Sequence, residues 1–457
     1  MTIFINRKSE LKALQDWSKK EKTALITGRR RIGKSRLILE FIKHKKAVYL
    51  LAADKGKEYN LRKFSEQISR EFNVPGLRFN DFEEMFEFFE ETKLEIIVID
   101  EFGYLIKAGV LGEFQRIIDS KLKTKKLILS GSFVSLIESR LLGYKSVLYG
   151  RIDLIKRILP LKFSHLFEWF PDLNMEDAVK LYSVSSGIPR YLEFFNAKNT
   201  EKEIKEKMFN PDILLFRDTK LLLAEELPEP TRFLLILESI SFGKNKVSEI
   251  SDYTKIKVNQ LPYYLNVLKN LRLIKHEKPL FEKKRGVYCI ADNYMTFWFK
   301  FISPFFEEIE SGIKENAINK FEQNFNSFQG KVFEDICKEF LIENKLFYFT
   351  KIARWWHKSN EIDFVCVNEK TKQILFAECK WKNKVNAKKI VTELKQKSHN
   401  LKWQNKKRKE SYTVFAKSFS KKIQEFEGKP VKCYDLKDLE KTLKKKQTKT
   451  FSNASLL

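Results

Sequence analysis

Short unbroken apolar runs alternate with stretches whose apolar residues recur every three or four positions, and this alternation organises the N-terminal half. Ala24, Leu25, Ile26 and Thr27 form one run, residues 47–51 a second, 96–99 a third, and 126–132 a fourth that ends in small polar residues. Runs this short and rich in β-branched residues suit strands of a parallel sheet buried on both faces. Between them the period changes. Phe82, Met85, Phe86 and Phe89 lie at helical spacing, residues 35–42 and 61–72 read as helices, and an amphipathic helix follows Phe4 to Arg7. Strand and helix in turn predict an α/β core.

Further along, 163–218 is helical in pattern throughout. After Pro228 and Pro230 come three helical segments, 231–241, 247–253 and 260–271, then a basic stretch at 282–286 and the apolar strand 287–290. Three helices and a basic-tipped hairpin predict a winged helix–turn–helix, its third helix suited to a major groove and its wing to phosphate. Lys255, Lys257, Lys283, Lys284 and Arg285 supply the charge; the alternative is the same fold used for protein packing. Residues 292–310, with Tyr294, Phe297, Trp298, Phe299, Phe301, Phe305 and Phe306, read as a buried connector. The expected divisions are 1–160 (α/β core), 161–226 (helical region), 227–291 (winged helix), 292–325 (connector), 326–445 (C-terminal α/β domain) and 446–457 (disordered tail).

Composition narrows the partners. The 457 residues carry 87 Lys and Arg against 60 Asp and Glu, a formal charge of +27, and 43% of them are hydrophobic. A globular chain this basic favours a polyanion, most simply nucleic acid, over a merely solvated lysine-rich surface. The five cysteines and five histidines are scattered with no C-x-x-C pair, which argues against a disulfide framework or a zinc site. No apolar stretch is long enough to span a bilayer. These features predict a reduced, cytoplasmic protein without a membrane partner.

The chemistry begins after the first apolar run. Gly28, Arg29, Arg30, Arg31, Ile32, Gly33, Lys34 and Ser35, followed by Arg36, give the G-x-x-x-x-G-K-[ST] pattern between a predicted strand and helix. Its glycines let successive N–H groups point at phosphate, and the following helix N-terminus adds to that anion site. Lys34 is expected on the β- and γ-phosphates of ATP and Ser35 on Mg²⁺. The run 96–99 ends in Asp100 and Glu101, where open α/β sheets bind ligands; Asp100 suits the Mg²⁺ shell and Glu101 the activation of water. Ser130 or Ser132 is a candidate γ-phosphate sensor. Arg151 is a candidate arginine finger, acting within its own subunit or on a neighbour in a homo-oligomer. Arg190, in a predicted helix start with Pro189, is placed to fold over the nucleotide.

A second constellation lies near the C-terminus. Residues 330–341 form an amphipathic helix carrying Glu334, and the apolar runs 361–367 and 374–380 flank the polar turn 368–373. A turn centred between Lys370 and Thr371 sets Asp363 opposite Glu378, about 5 Å apart across two antiparallel strands. The period of two puts Lys380 on the face of Glu378 and turns Cys379 away. Asp363, Glu378, Glu334 and Lys380 around a metal ion suit hydrolysis of a phosphodiester; the alternative is a half-buried hairpin with a charged solvent face. Lys382, Lys384, Lys388 and Lys389 follow, Gln396 is expected to face the site from a helix at 391–401, and 406–409 and 444–446 are charge runs.

Together these residues resemble the archaeal ATPase family of the P-loop AAA+ class. The resemblance rests on Phe4, Arg7, Glu10 and Leu11, the phosphate loop, Asp100 and Glu101, Ser130 to Ser132, Tyr149 to Arg151, and Gly187 to Arg190. It implies a P-loop AAA+ parallel sheet with a helical lid, followed by a winged helix–turn–helix and a domain similar to the PD-(D/E)xK, or restriction-endonuclease-like, fold. In that motif Asp363, Glu378 and Lys380 take the named positions and Glu334 the helix acid; Ile362 stands where proline is usual. By the same resemblance Ser130 is the first sensor and Arg190 the second. The reading is an ATP-hydrolysing, DNA-binding ATPase whose nuclease-like domain is either active or degenerate. Alternatives are a non-hydrolysing nucleotide switch that binds partners, and an ATP-gated defence nuclease.

Overall fold

The computed structural model describes residues 4–132, 141, 146–227, 229–282, 286–344, 347–405 and 407–452, with side chains through 445. Lys283, Lys284 and Arg285, expected at the tip of a wing, therefore lie outside the described residues. The chain divides into two compact units, one of residues 2–161 with 188–190, the other of 162–187 with 191–457.

The first unit is built on five parallel strands, β1 (Thr23–Thr27), β2 (Ala47–Leu51), β3 (Ile96–Asp100), β4 (Lys126–Gly131) and β5 (Leu154–Arg157), in the order β2-β3-β4-β1-β5. Alternate residues serve opposite faces. Ala24, Ile26, Ile96, Val98 and Ile128 pack against Leu14, Trp17 and Ile38. Leu25, Ile97, Ile99, Leu127 and Leu129 pack against Phe64, Phe82, Phe86, Phe89 and Phe114. Both faces are covered by helices, so the runs carry no polar alternation. The register pairs Thr27 with Gly131 and Leu51 with Asp100, which brings the C-terminal ends of β1, β3 and β4 together.

The second unit begins in helices, among them Met175–Ser185, Thr200–Met208 and Leu214–Glu226. Helices Pro230–Ser241, Val247–Thr254 and Leu261–Asn270 then lead to an antiparallel hairpin of β6 (Ile274–Glu277) and β7 (Val287–Ile290). The aromatic segment 292–310 is a core: the Trp298 indole donates to the Phe216 carbonyl (2.6 Å), Tyr294 donates to that of Leu215 (2.9 Å), and Phe297 meets Phe209, Phe321 and Phe325. One helix, Glu315–Asn344, runs through the boundary expected at 325/326. Its buried Phe321, Phe325 and Phe328 serve the aromatic core, while Val332, Phe333 and Ile336 are buried farther along the same helix. Connector and C-terminal domain thus share one element.

Six strands form the mixed C-terminal sheet. They are β8 (Lys351–His357), β9 (Asn360–Asn368), β10 (Gln373–Lys380), β12 (Lys409–Ala416), β14 (Glu425–Phe426) and β15 (Lys429–Tyr434), in the order β14-β15-β12-β10-β9-β8. β8, β9 and β10 run antiparallel in succession, and β12 and β15 are parallel to β10 and β12. Two short strands, β11 (Val385–Asn386) and β13 (Phe419–Lys421), pair separately. The last helix, Leu436–Ser452, continues past Lys446, where a disordered tail is expected; buried Leu439 and Leu443 seat its first turns.

Candidate functional site

The first site gathers at the C-terminal ends of β1, β3 and β4. Gly28 has φ +150°, and a Cβ there would stand 2.5 Å from Ile32 Cδ1 and 2.6 Å from the Ile158 carbonyl oxygen. Only glycine fits. Gly33 (φ +89°) is left-handed and starts the helix Lys34–Ile42 without a side-chain cap, so its first N–H groups are available to an anion. Lys34 is buried and donates to the Arg29 carbonyl (3.2 Å). Arg30 reaches the Tyr104 hydroxyl (3.1 Å), while Arg29, Arg31, Ile32 and Arg36 complete the loop and its helix.

Asp100 is buried at the end of β3 and faces this loop. Ser35 donates to its Oδ2 (2.6 Å), Tyr49 donates to the same oxygen, and the Glu101 N–H donates to Oδ1 (2.9 Å). Burial pushes the Asp100 carboxyl up, but the Ser35 and Tyr49 hydroxyls outweigh it and hold the group below its ordinary value. The same burial and the Asp100 charge push Tyr49 up. Glu101 has left-handed backbone (φ +52°) and accepts a hydrogen bond from Ser132 (2.8 Å). Ser130 is buried one strand away. A close loop only glycine can make, an uncapped helix start and a Ser–Asp hydroxyl bond fit a nucleotide phosphate with Mg²⁺ on Ser35 and Asp100.

Two arginines part company. The Arg190 N–H donates to the Arg31 carbonyl (3.4 Å), so the short helix Pro189–Leu192 starts beside the loop. Arg151 lies at the other edge of the sheet. Its carbonyl accepts from Thr23 at the start of β1, and its guanidinium clasps Asp119 at 2.7 and 2.8 Å. A five-residue strand, about 16 Å, separates it from the loop, which corrects the expectation of a finger acting within its own subunit. Sequence reasoning assigned Arg7 only to a motif. Its guanidinium is buried, pairs with Glu10 (3.2 Å) and donates to the Ile32 carbonyl (3.0 Å), bracing the phosphate loop. Tyr49 left no signal beyond its place in an apolar run.

The second site is in the other unit. The β9–β10 register runs from Asn368 paired with Gln373 to Phe364 paired with Ala377, and Asp363 and Glu378 are the next residues of the two strands. Asp363 accepts from the Cys379 N–H (2.8 Å). Enclosure and the neighbouring Glu378 and Glu334 push it up to about 7. Glu378 Oε1 takes Lys380 (2.8 Å) and Lys397 (3.2 Å), while its Oε2 is buried with no hydrogen-bond partner. Cys379 turns away and its thiol meets Cys337. Glu334 is drawn into ion pairs with Lys331 (2.6 Å) and Arg354, and Arg354 also holds Glu361 (3.0 Å). Among the described residues no group of three His, Cys, Asp or Glu stands ready for a metal ion. The expected trio of Glu334, Asp363 and Glu378 is thus not preassembled, because cations already occupy two of its members. Gln396 is exposed, and the neighbouring Lys397 is the residue of that helix that reaches the site.

Residues 4–195 match the family described as an ATPase domain predominantly from Archaea, and 298–390 match a family of archaeal and bacterial proteins of unknown function. An uncharacterised protein of Methanocaldococcus jannaschii is 37% identical over 95% of this chain and 100% of its own length. The Walker-type ATPase of Pyrococcus abyssi superposes with a TM-score of 0.51 at 24% identity, covering 65% of this chain and 96% of that one. The ORC2 protein of Aeropyrum pernix, in its ADPNP–ADP complexes, gives 0.47 at 14%, covering 67% and 94%. No helix among the described residues is long and apolar enough to cross a membrane. The parallel P-loop core and the match of residues 4–195 to the ATPase domain show that the chain belongs to the archaeal ATPase family and is an ATPase.

Proposed function

We propose that the chain hydrolyses ATP with Mg²⁺ while engaged on DNA, and that its C-terminal carboxylates form a nuclease-like centre. The observation that carries the first part is the Ser35–Asp100 bond with Glu101 beside it at the strand end. Lys34 binds the β- and γ-phosphates, Ser35 and Asp100 hold the cation, and Glu101, oriented by Ser132, takes a proton from the attacking water. Bound Mg²⁺ supplies charge neutralisation at the phosphates. Ser130 and Arg190 serve as sensors, and Arg151 belongs to a neighbouring subunit's site in a homo-oligomer. The three helices and hairpin of 230–290 act as a winged helix. Incubation with DNA and Mg²⁺ or Mn²⁺, with and without ATP, tests the whole. DNA should stimulate ATP turnover and nicked product should appear; turnover indifferent to DNA sinks the first part.

The ion pairs favour a second reading. Glu334 and Glu378 are neutralised by Arg354, Lys380 and Lys397, an arrangement a binding module keeps as readily as a nuclease. Absence of metal-dependent nicking under all those conditions selects it.

A further inference from the structure

Beside the second site is a cleft of about 690 Å³, walled by the β6–β7 hairpin, the helix Glu315–Asn344 and strands β8 to β10. It is preformed. The Leu280 N–H, just past β6, donates to the Arg354 carbonyl (2.9 Å), Leu280 is buried in the core of the C-terminal sheet, and Phe281 stacks on Trp403 (6.0 Å, 10°). The hairpin is therefore pinned to the sheet. Six basic and three acidic side chains line the cleft. Lys275 is answered by Glu277 (2.8 Å), but Lys300 and Lys338 have no ion-pair partner among the described residues. Lys300 is half-buried, and burial together with Lys320 makes its charge costly. Trp381, 7% exposed, also lines the cleft, and its indole N–H is buried without an acceptor. The lining includes Phe364 and Cys379, which follow Asp363 and Glu378 in sequence but alternate onto the other face of their strands.

Unanswered cations and an unanswered donor call for a ligand with spaced negative charges and further acceptors. We infer that the cleft holds a single-stranded polynucleotide segment. The volume falls in the roughly 300–1,000 Å³ range of small-molecule sites, which is room for one or two nucleotide units. A duplex, whose major groove alone is about 12 Å wide, does not fit. Phosphates meet Lys300 and Lys338, and an oxygen of sugar or base meets the Trp381 N–H. This inference rests on the reading that the chain engages nucleic acid and adds the strand state of what it engages.

The test uses the full chain in EDTA without ATP, so that neither hydrolysis contributes. Labelled DNA and RNA hexanucleotides, and a DNA duplex of the same length, are titrated by fluorescence anisotropy over a salt series. Single strands should bind more tightly than the duplex, and the preferred sugar identifies the source. Lys300→Gln with Lys338→Gln should flatten the salt slope by about 1.4, two contacts at roughly 0.7 each for single strands. Trp381→Phe, which keeps an aromatic ring and removes the donor, should weaken binding with ATP turnover unchanged, and thiothymidine cross-links should map to peptides containing Tyr288 or Trp381. Duplex binding as tight as single-strand binding, an unaltered slope, or cross-links elsewhere overturns the inference. Failure of the hydrolytic reading is scored separately with Mn²⁺. Strand binding without cleavage removes that reading and keeps the cleft; duplex nicking without strand binding does the reverse.

Discussion

Asp100 and Asp363 are both aspartates beside a second carboxylate on a strand, and their surroundings treat them oppositely. Asp100 is met by hydroxyls from Ser35 and Tyr49 and a backbone N–H, and stays below its ordinary value despite burial. Asp363 has one backbone donor, and enclosure with Glu378 and Glu334 close by pushes it up to about 7. Neutral donors stabilise a charge without cancelling it, so Asp100 remains an anion ready for a cation. The acids near Asp363 are balanced instead by lysine and arginine. The first site has its donors in place around the carboxylate, whereas the carboxylates of the second are already held by side-chain cations.

The largest effects should fall on the first site. Lys34→Ala removes the cation nearest the phosphates and should abolish ATP binding in a titration. Glu101→Gln should retain ATP and lower turnover by roughly 10²–10⁴. If either variant also loses nicking of relaxed DNA measured without ATP, the two sites are not chemically separate and the comparison fails.

At the second site Asp363→Ala and Lys380→Ala should each abolish any metal-dependent nicking while ATP turnover stays within about twofold of the parent. Nicking that survives both substitutions moves the chemistry elsewhere.

The pH dependence sharpens the contrast at smaller cost. Asp363 ordinarily titrates near 3.8 and here near 7, so between those values the folded state binds the extra proton. Its contribution to stability is therefore present at low pH and lost as pH rises through about 7. Glu339, pushed up to about 7 mainly by burial, acts in the same direction. Thermal unfolding of the full chain should show a transition that falls between pH 5 and 8, and Asp363→Asn should flatten it. At pH 8, Mg²⁺ or Mn²⁺ should raise that transition in the parent and not in Asp363→Asn. A metal-insensitive parent favours the binding-module reading.

The smallest effect concerns Arg151. Held by Asp119 and a strand's length from its own loop, it should tolerate Arg151→Ala with little change in turnover at dilution where subunits separate. A loss that appears only at high protein concentration assigns it to a neighbour's site.

Much of the first site was legible because its residues are local in sequence. The loop from Gly28 to Ser35 lies between a strand and a helix, and Asp100 and Glu101 end an apolar run. Local spacing also gave the β9–β10 register from Asn368 with Gln373 to Phe364 with Ala377, since a short turn determines antiparallel register. What it could not reveal were contacts made by packing. Arg7 braces the loop across 25 positions, and Tyr49 meets Asp100 across 51. Arg408 sits in a charge run that reads as solvated, yet its side chain is only 2% exposed and donates to the carbonyls of Leu401, Trp403 and Ser398. Arg354, Lys397 and the pinned hairpin likewise depend on which strands and helices the fold brings side by side. Residue type and spacing determined which groups could do chemistry. Tertiary structure decided which of them are paired, because ion pairs and buried donors are chosen by three-dimensional proximity, and a one-dimensional pattern carries proximity only within a turn, a helix or a hairpin.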